Sequence, residues 1–503
     1  LFLFDTRNKT VMISFQWEIK MYLGLDLGTS GLRGLLVQED GKIIGSAEAT
    51  YDVHHPHAGW SEQNPADWTT ACDTVIAALR TAHPTAFAAL KGLGVAGHMH
   101  GATLLDSTGQ VLRPCMLWND SRAHTEAAKL DATPGFREIS GNIMFPGFTA
   151  PKVLWLAEHE PDVFAKIAKV LLPKDYLNFW LTGQYTSDMS DSAGTGWLDS
   201  GARNWSANLL SQSRMRRDQM PDLVEGSAAI GTLRPEIAAD WGLRADVIVV
   251  GGGGDNAVAA CGVGALREGH AFVSLGTSGV LLAAKDTFSP MPASAVHTFC
   301  HAVPNRWYQM GVILAATDSL NWLARNLDVE AAVLSSALGD QISGPNQMQF
   351  LPYLSGERTP HNDSTIRGAL LNIDIASSRT DLTQAVMEGV SFALRDSLEV
   401  LKSTGTDLKR ALAIGGGAQS PFWVELVATV LNIPIDLPDK GEFGAALGAA
   451  RLAIVGCTSA EPESVMTRPK VAKTIHPRSA LTAAYDAAYQ RYRATYPALK
   501  AIS

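Results

Sequence analysis

Apolar positions along the chain change period repeatedly, and each change marks an element. Tyr22–Asp26, Leu32–Val37 and Ile43–Ala49 are short apolar runs joined by tight turns, the second built on Glu39-Asp40-Gly41; they predict a meander of three antiparallel strands. Asn64-Pro65 is an N-cap followed by a proline fit for a first helical turn, and the apolar spacing runs on through Leu79, which predicts a helix. Leu93–Ala96 is a further strand. Residues 132–243 alternate helical patterns with loops, among them Leu172–Leu177 and the small-residue loop Ser187–Leu198, as expected of helical structure inserted around a site. Val247–Val250 is a buried strand, and the small residues of Ala257–Ala265 predict a closely packed helix.

From Ala271 the pattern restarts with its own strand, hairpin and strand. Leu382, Val386, Val390, Leu394, Leu398 and Leu401 share one face of a long amphipathic helix. Ala411–Ile414 is a strand that runs into three glycines, with a helix opening near Pro421, and Gly444–Leu452 is a small-residue helix able to lie close to a sheet. Tyr485, Tyr489, Tyr492 and Tyr496 recur at helical spacing, which suits a core or a subunit contact and leaves a homodimer open.

The chemistry gathers where glycine interrupts these patterns. Gly251–Gly254 strip the backbone of side chains just before Asp255 and Asn256, so Asp255 is expected at a strand end with open space around it. Leu-Gly-Thr-Ser-Gly occurs twice, at Leu27–Gly31 and Leu275–Gly279, each time between two apolar strands. Two such hairpins can clasp a polyphosphate on backbone N–H groups and hydroxyls without a lysine. Only the first copy carries an acid on its strand, Asp26. Trp118-Asn-Asp-Ser-Arg122 mixes groups that suit a sugar's hydroxyls, or that form a salt bridge at a helix start. A flat ring could lie on Gly415–Gly417, with the nearby helix N-terminus favouring an anion or polar group. Gly92-Leu-Gly-Val-Ala-Gly97 satisfies a dinucleotide pattern, but its glycines fall inside a strand rather than between strand and helix. No Gly-x-x-x-x-Gly-Lys-Ser/Thr motif is present, which excludes a P-loop kinase.

Composition narrows the classes. The 503 residues suffice for two large domains, or three by length, with 46% hydrophobic and 18% charged residues, as in a soluble enzyme. A net charge of −9 without basic runs argues against nucleic acid. No apolar stretch approaches the ~18 residues of a membrane span, and Asp5, Arg7, Lys9, Glu18 and Lys20 rule out a signal-peptide core, so a cytoplasmic protein is expected. With the first strand starting after Met21, residues 1–20 read as an upstream extension outside the fold. Five scattered cysteines without Cys-x-x-Cys indicate buried thiols rather than disulfides or zinc, and His54, His55 and His57 read as a solvated loop.

Taken together, Gly24–Gly31, Met99-His-Gly101, Trp118-Asn-Asp120, Gly147–Trp155, Gly252–Asn256, Leu275–Ser278, Gly356–His361 and Gly415–Ala418 make the chain resemble the FGGY family of carbohydrate kinases over about Met21–Val455. The resemblance is closest to the bacterial members that phosphorylate D-xylulose in D-xylose catabolism. It departs from the family pattern at His98, where glutamine is expected and where the sugar pocket could be retuned, and at Asn372, where glycine is expected.

The resemblance implies an α/β protein of two ribonuclease-H-like, actin-like ATPase domains around a central cleft: a sugar-binding domain over 21–264 and an ATP-binding domain over 265–503, the boundary near Val263–Glu268. It implies ATP and Mg²⁺, with Asp255 as general base and Asp26 holding the metal through water, Asp255 beside it. Met99, His100, Trp118, Asn119, Asp120, Asp255 and Asn256 would meet the sugar. Thr29, Ser30, Arg33, Gly276, Thr277 and Ser278 would meet the phosphates, and Gly415, Gly416, Gly417 and Gln419 the adenosine. D-Xylulose is the expected substrate, with another pentulose or polyol as alternative. A non-enzymatic actin-like ATPase would not need Met99-His100 beside Asp255, and an oxidoreductase built on Gly92–Gly97 would bind NAD.

Overall fold

The computed structural model describes residues 3–6, 9–12, 20–439 and 444–502. Within the expected upstream extension, Leu3–Thr6 and Lys9–Met12 pair antiparallel with each other and, among the described residues, with no other strand; apart from Lys20, the remainder lies outside the described residues.

Two mixed sheets organise the chain. The first is built from β1 (Met21–Leu27), β2 (Gly31–Gln38), β3 (Ile43–Thr50), β4 (Leu90–Gly97), β5 (Ala229–Thr232), β6 (Ile248–Val250) and β7 (Gly253–Gly254), in the order β5-β6-β4-β1-β2-β3 with β7 also paired to β4. The second is built from β8 (Ala271–Leu275), β9 (Gly279–Lys285), β10 (His297–Cys300), β11 (Trp307–Ile313), β12 (Ala411–Ile414), β13 (Ile435–Pro438) and β14 (Val471–Ile475), in the order β10-β11-β9-β8-β12-β13-β14. In each, an antiparallel hairpin (β1-β2, β8-β9) stands beside two parallel strands (β4 and β6, β12 and β13) capped by an antiparallel edge. The repeated Leu-Gly-Thr-Ser-Gly is therefore the same hairpin in a duplicated sheet.

The helices follow their caps. Helix α1 (Pro65–Ala82) opens with the Asn64 side chain accepting from the Ala66 N–H at 3.2 Å and buries Trp68, Cys72, Val75 and Leu79 against the first sheet. Helices α2 (Thr149–His159) and α3 (Pro173–Thr182) belong to the inserted region. Helix α4 (Asp255–Val263) follows β7 directly, so Asp255 is the first residue of a helix rather than the end of a strand. In the second half come α5 (Thr317–Leu327), α6 (Arg379–Ser403), α7 (Pro421–Leu431), α8 (Ala445–Thr458) and α9 (Ser479–Lys500). The 25-residue α6 starts at a reciprocal Ser378–Asp381 capping box. Tyr485, Tyr489 and Tyr492 of α9 are buried in the second core around Phe392, the core alternative of the sequence reading.

Helix α8 lies on the first sheet although it comes from far beyond residue 265. A side chain at Gly24 would strike the Ala446 carbonyl and one at Gly94 the Ala449 carbonyl, while Gly448 and Gly262 allow α8 and α4 to touch backbone to backbone. The glycines of Gly92–Gly97 thus serve helix–sheet packing within β4, not a dinucleotide. Asn372, where glycine was expected, has φ +59°, a left-handed conformation that asparagine tolerates. Four cysteines are buried, Cys457 is half-buried, and all five are free. Among the described residues no helix is long and apolar enough to cross a membrane.

Candidate active site

The two hairpin tips meet a cleft between the sheets. At the first, the turn closes through the Gly28 N–H to the Gly31 carbonyl at 2.9 Å. Its outward carbonyls are used: Gln63 Nε2 donates to Thr29 O at 2.6 Å and Tyr51 Oη to Gly28 O at 2.5 Å. At the second, the Ala316 and Thr317 N–H groups, where α5 begins, donate to Thr277 O and Gly276 O at 2.8 and 2.9 Å. Both tips therefore spend their carbonyls on the protein, which suits concavities that present N–H groups and hydroxyls to an anion. A cavity of about 950 Å³ runs between them, lined by Asp26, Arg33, Ser274, Gly415 and Gln419 together with Asp439. A neighbouring cavity of about 510 Å³ is lined by Gly416, Gly417 and Gln419 against Thr317 and Trp423. Gly416 has no heavy atom within 4 Å of where a side chain would start, whereas Gly415, at φ +91°, and Gly417 are pressed on Leu275.

Asp26 and Asp255 carry the charge of the cleft. Asp26 faces Arg33 across the hairpin register, and among the described residues its carboxylate has no hydrogen bond. Burial, then the Asp255 charge, push its carboxyl up to about 7 against the pull of Arg33. Asp255 Oδ1 accepts from the Asn256 N–H at 2.7 Å and from Asn256 Nδ2 at 2.9 Å, leaving Oδ2 without a protein partner. Burial raises Asp255 to about 6, with the Asn256 bonds opposing. Among the described residues no three His, Cys, Asp or Glu side chains gather into a cage. Two carboxylates, one with no hydrogen bond, fit a Mg²⁺ ion that fills its shell with water and phosphate oxygens.

The four glycines before Asp255 do not open space for a ligand, as the sequence reading expected. Side chains there would meet Glu225 O at Gly251, Val95 O and Lys174 at Gly252, Ser190 Oγ at Gly253, and Met99 at Gly254. Protein fills that room. Lys174 Nζ sits between Asp175 and Asp188 at 2.6 and 2.9 Å, all three side chains buried. Asp188 Oδ2 accepts from Ser190 Oγ at 2.5 Å, and Ser190 Oγ accepts from the Gly254 N–H at 3.2 Å. The residue before Asp255 is thereby tied to a buried ion cluster.

On the other wall, Met99 is buried with its sulfur 3.9 Å from Tyr308 Oη, so this wall joins the two halves of the chain. His100 has φ +71° and stacks on Phe148 at 4.5 Å. Its carbonyl accepts from Thr149 Oγ1 and Lys152 Nζ, both at 3.0 Å, which hold that backbone in place. Its Nδ1 lies 2.6 Å from Gly194 O, and burial keeps the ring neutral, down to about 3. Nδ1 then carries the proton and Nε2 is an acceptor. His98 turns elsewhere: it packs edge-on against Trp68 at 5.7 Å, and neither ring nitrogen has a partner.

Trp118 donates from Nε1 to Thr29 Oγ1 at 3.0 Å, linking this wall to the first hairpin. Trp118 and Asn119 line a cavity of about 730 Å³. Asp120 reaches the same wall, but its oxygens are taken by Arg122 Nη2 at 2.6 Å and the Ser61 N–H at 2.7 Å, the salt-bridge alternative for this stretch. Ser30, Thr277 and Ser278 stand at the hairpin tips, and Gly276 beside them. Lys152, Lys174, Ser190, Glu357 and Arg358 lie in stretches with no role assigned to them in sequence, because the contacts that give them one, to His100, Gly251, Gly254, Leu314 and Phe145, come from elsewhere in the chain.

Duplicated sheets with facing hairpins and two cleft carboxylates, Asp26 and Asp255, make a two-domain site suited to phosphoryl transfer. Residues 21–262 match the N-terminal domain of the FGGY family of carbohydrate kinases and residues 271–457 its C-terminal domain. The chain belongs to the FGGY family of carbohydrate kinases and is an ATP-using sugar kinase with the two-domain fold of that family. It is 45% identical to the xylulose kinase of Escherichia coli over 95% of this chain and 98% of the relative. A solved structure described as a xyloylose kinase from Brucella ovis is 57% identical, with TM-score 0.93 over 96% of this chain and 100% of the other. The xylulose kinase of Rhodospirillum rubrum is 29% identical, with TM-score 0.88 over 96% and 99%.

Proposed function

We propose that this enzyme transfers the γ-phosphoryl group of ATP to the terminal hydroxyl of D-xylulose, giving D-xylulose 5-phosphate, and that it acts in the cytoplasm. The observation that carries the reading is the pairing of Asp255, one carboxylate oxygen left over, with Met99 and a neutral His100, in a chain whose near full-length relatives bear the name xylulose kinase.

In this reading Asp255 Oδ2 accepts the proton of the attacking hydroxyl, and the Asn256 side chain fixes the carboxylate through Oδ1. His100 Nε2 accepts from a sugar hydroxyl, while Met99 covers an apolar edge of the ketose. Thr29, Ser30, Thr277 and Ser278 hold the phosphates from the two sheets, with Arg33 and Gly276 beside them. Gly415, Gly416, Gly417 and Gln419 receive the adenosine, Gly416 being open enough for a flat ring. Asp26 and Asp255 would hold Mg²⁺, which supplies charge neutralisation on the phosphates.

A coupled ADP-release assay over pentuloses, polyols and aldoses tests the assignment. D-Xylulose should give the highest kcat/KM. A higher value for D-ribulose, glycerol or another sugar would keep the kinase and remove the substrate.

A further inference from the structure

The 730 Å³ cavity beside Trp118 is not made by the first domain alone: Trp118, Asn119 and Phe145 face Leu314, Glu357 and Arg358 of the second half across it. Arg358 places its guanidinium over the Phe145 ring, 4.6 Å from the centroid, and among the described residues the guanidinium forms no hydrogen bond or salt bridge. Glu357 is 2% exposed. Its Oε1 accepts from the Leu314 and Arg358 N–H groups at 3.1 and 2.8 Å, while its buried Oε2 has no partner. Thr359, next in the chain, is clamped by a bond to Ala295 O at 2.9 Å and one from the Val312 N–H at 3.0 Å, so the dipeptide is held in position. Two polar groups with idle bonding capacity on one cavity wall are costly unless a polar ligand completes them.

We infer that Glu357 and Arg358 are specificity-determining residues that bond the hydroxyls at the end of the sugar opposite the one phosphorylated, so that the sugar site is complete only when both domains contribute. The orientation follows from packing: Arg358 reaches the His100 side through Phe145 and Phe148, and Asp255 does not line the cavity that Glu357 and Arg358 share. Phe145 links the arginine to that end, since it packs on Phe148 at 5.5 Å and Phe148 stacks on His100. The inference rests on the reading that a ketose sits between His100 and Asp255.

Arg358→Met keeps the apolar stem on Phe145 and removes the donors. Its kinetics are compared with wild type on D-xylulose and on 1-deoxy-D-xylulose, which lacks the hydroxyl farthest from the phosphorylated carbon, and ATP binding is followed by calorimetry. The KM for D-xylulose should rise about 10- to 100-fold, as expected for a lost charge-assisted hydrogen bond. That for the deoxy sugar should change by less than about threefold, with ATP affinity within about twofold, because neither contact is touched. Equal losses on both sugars, or no loss on either, would overturn the inference. Should the methionine variant fail to fold, Arg358→Lys keeps charge but not the planar fork; a selective loss on D-xylulose supports the role and an unchanged KM removes it. A wild type that prefers a different sugar defeats the D-xylulose reading alone. The same comparison then uses that sugar and its analogue lacking the hydroxyl farthest from the phosphorylated carbon.

Discussion

Asp26 and Asp255 are delivered to one rim of the first sheet with a single strand between them: Asp26 is in register with Ala96 of β4, and Ala96 with Gly253 of β7. Two strand spacings set Asp26 and Gly253 about 10 Å apart, and Asp255, two residues beyond Gly253, helps hold Asp26 up to about 7. Burial raises both carboxyls, Asp255 to about 6 and Asp26 to about 7.

Asp255→Ala should lower kcat by about 10²- to 10⁴-fold, the range for losing a positioned base, with ATP binding nearly unchanged. In the wild type, kcat/KM should fall as pH drops below about 6, where Asp255 takes up a proton. Turnover above roughly a tenth of wild type in the alanine variant would be too small a loss for a base.

Asp26→Asn should raise the Mg²⁺ concentration needed for half-maximal rate and lower the maximal rate. It should also stabilise the ligand-free protein at alkaline pH. The raised folded-state pKa of Asp26 means its favourable contribution is present below the ordinary carboxyl range and lost as pH rises through about 7. Removing the acid should therefore gain roughly 1–3 kcal/mol at pH 8 and little at pH 4. Chemical denaturation at the two pH values measures it; equal effects at both would assign the change to something other than ionisation.

His98→Gln, which restores the residue expected by resemblance, should leave the ratio of kcat/KM for D-xylulose over D-ribulose within about twofold, because a side chain packed on Trp68 discriminates nothing in the pocket. Burial, then Lys152, depress His98 to about 3. Its stabilising share is present above the ordinary histidine pKa and is lost as pH falls toward 3, so the variant should lose less stability than wild type between pH 7 and pH 5. A changed sugar ratio would return His98 to the pocket.

Lys174→Met strands Asp175 and Asp188 in the interior and should cost about 3–5 kcal/mol in denaturant unfolding. Ser190→Ala is the milder probe. Losing the acceptor for the Gly254 N–H should reduce kcat about 3- to 10-fold, the worth of about one modest hydrogen bond in positioning the base, with both KM values within about twofold. An unchanged kcat would leave the cluster purely structural.

Most of the fold was legible because its signals are local. The hairpin glycines, the Asn64 cap and the apolar stripe of α6 each declare themselves within a few residues. The meaning of Gly251–Gly254 was not legible. A glycine that admits a ligand and one that admits Lys174 or Ser190 look alike in sequence, and only the packing of residues some 60 to 80 positions earlier tells them apart. Asp120 shows the same limit. Its short motif suits a hydroxyl as well as it suits Arg122, and the choice was made by Ser61, from a distant loop. Glu357 and Arg358 lie in Gly356–His361, which marks the family but says nothing of a role; the wall they complete is formed by residues 118–147.

The seat of α8 on the first sheet means that covalent order and spatial order part company in this enzyme. A fragment ending at the sequence boundary would present Gly24 and Gly94 as a bare trough, with the backbone of α4 uncovered beside it. The first half is not a module that can be cut out and passed to another kinase, and a ribosome that has made it must still synthesise almost two hundred residues before its sheet is roofed.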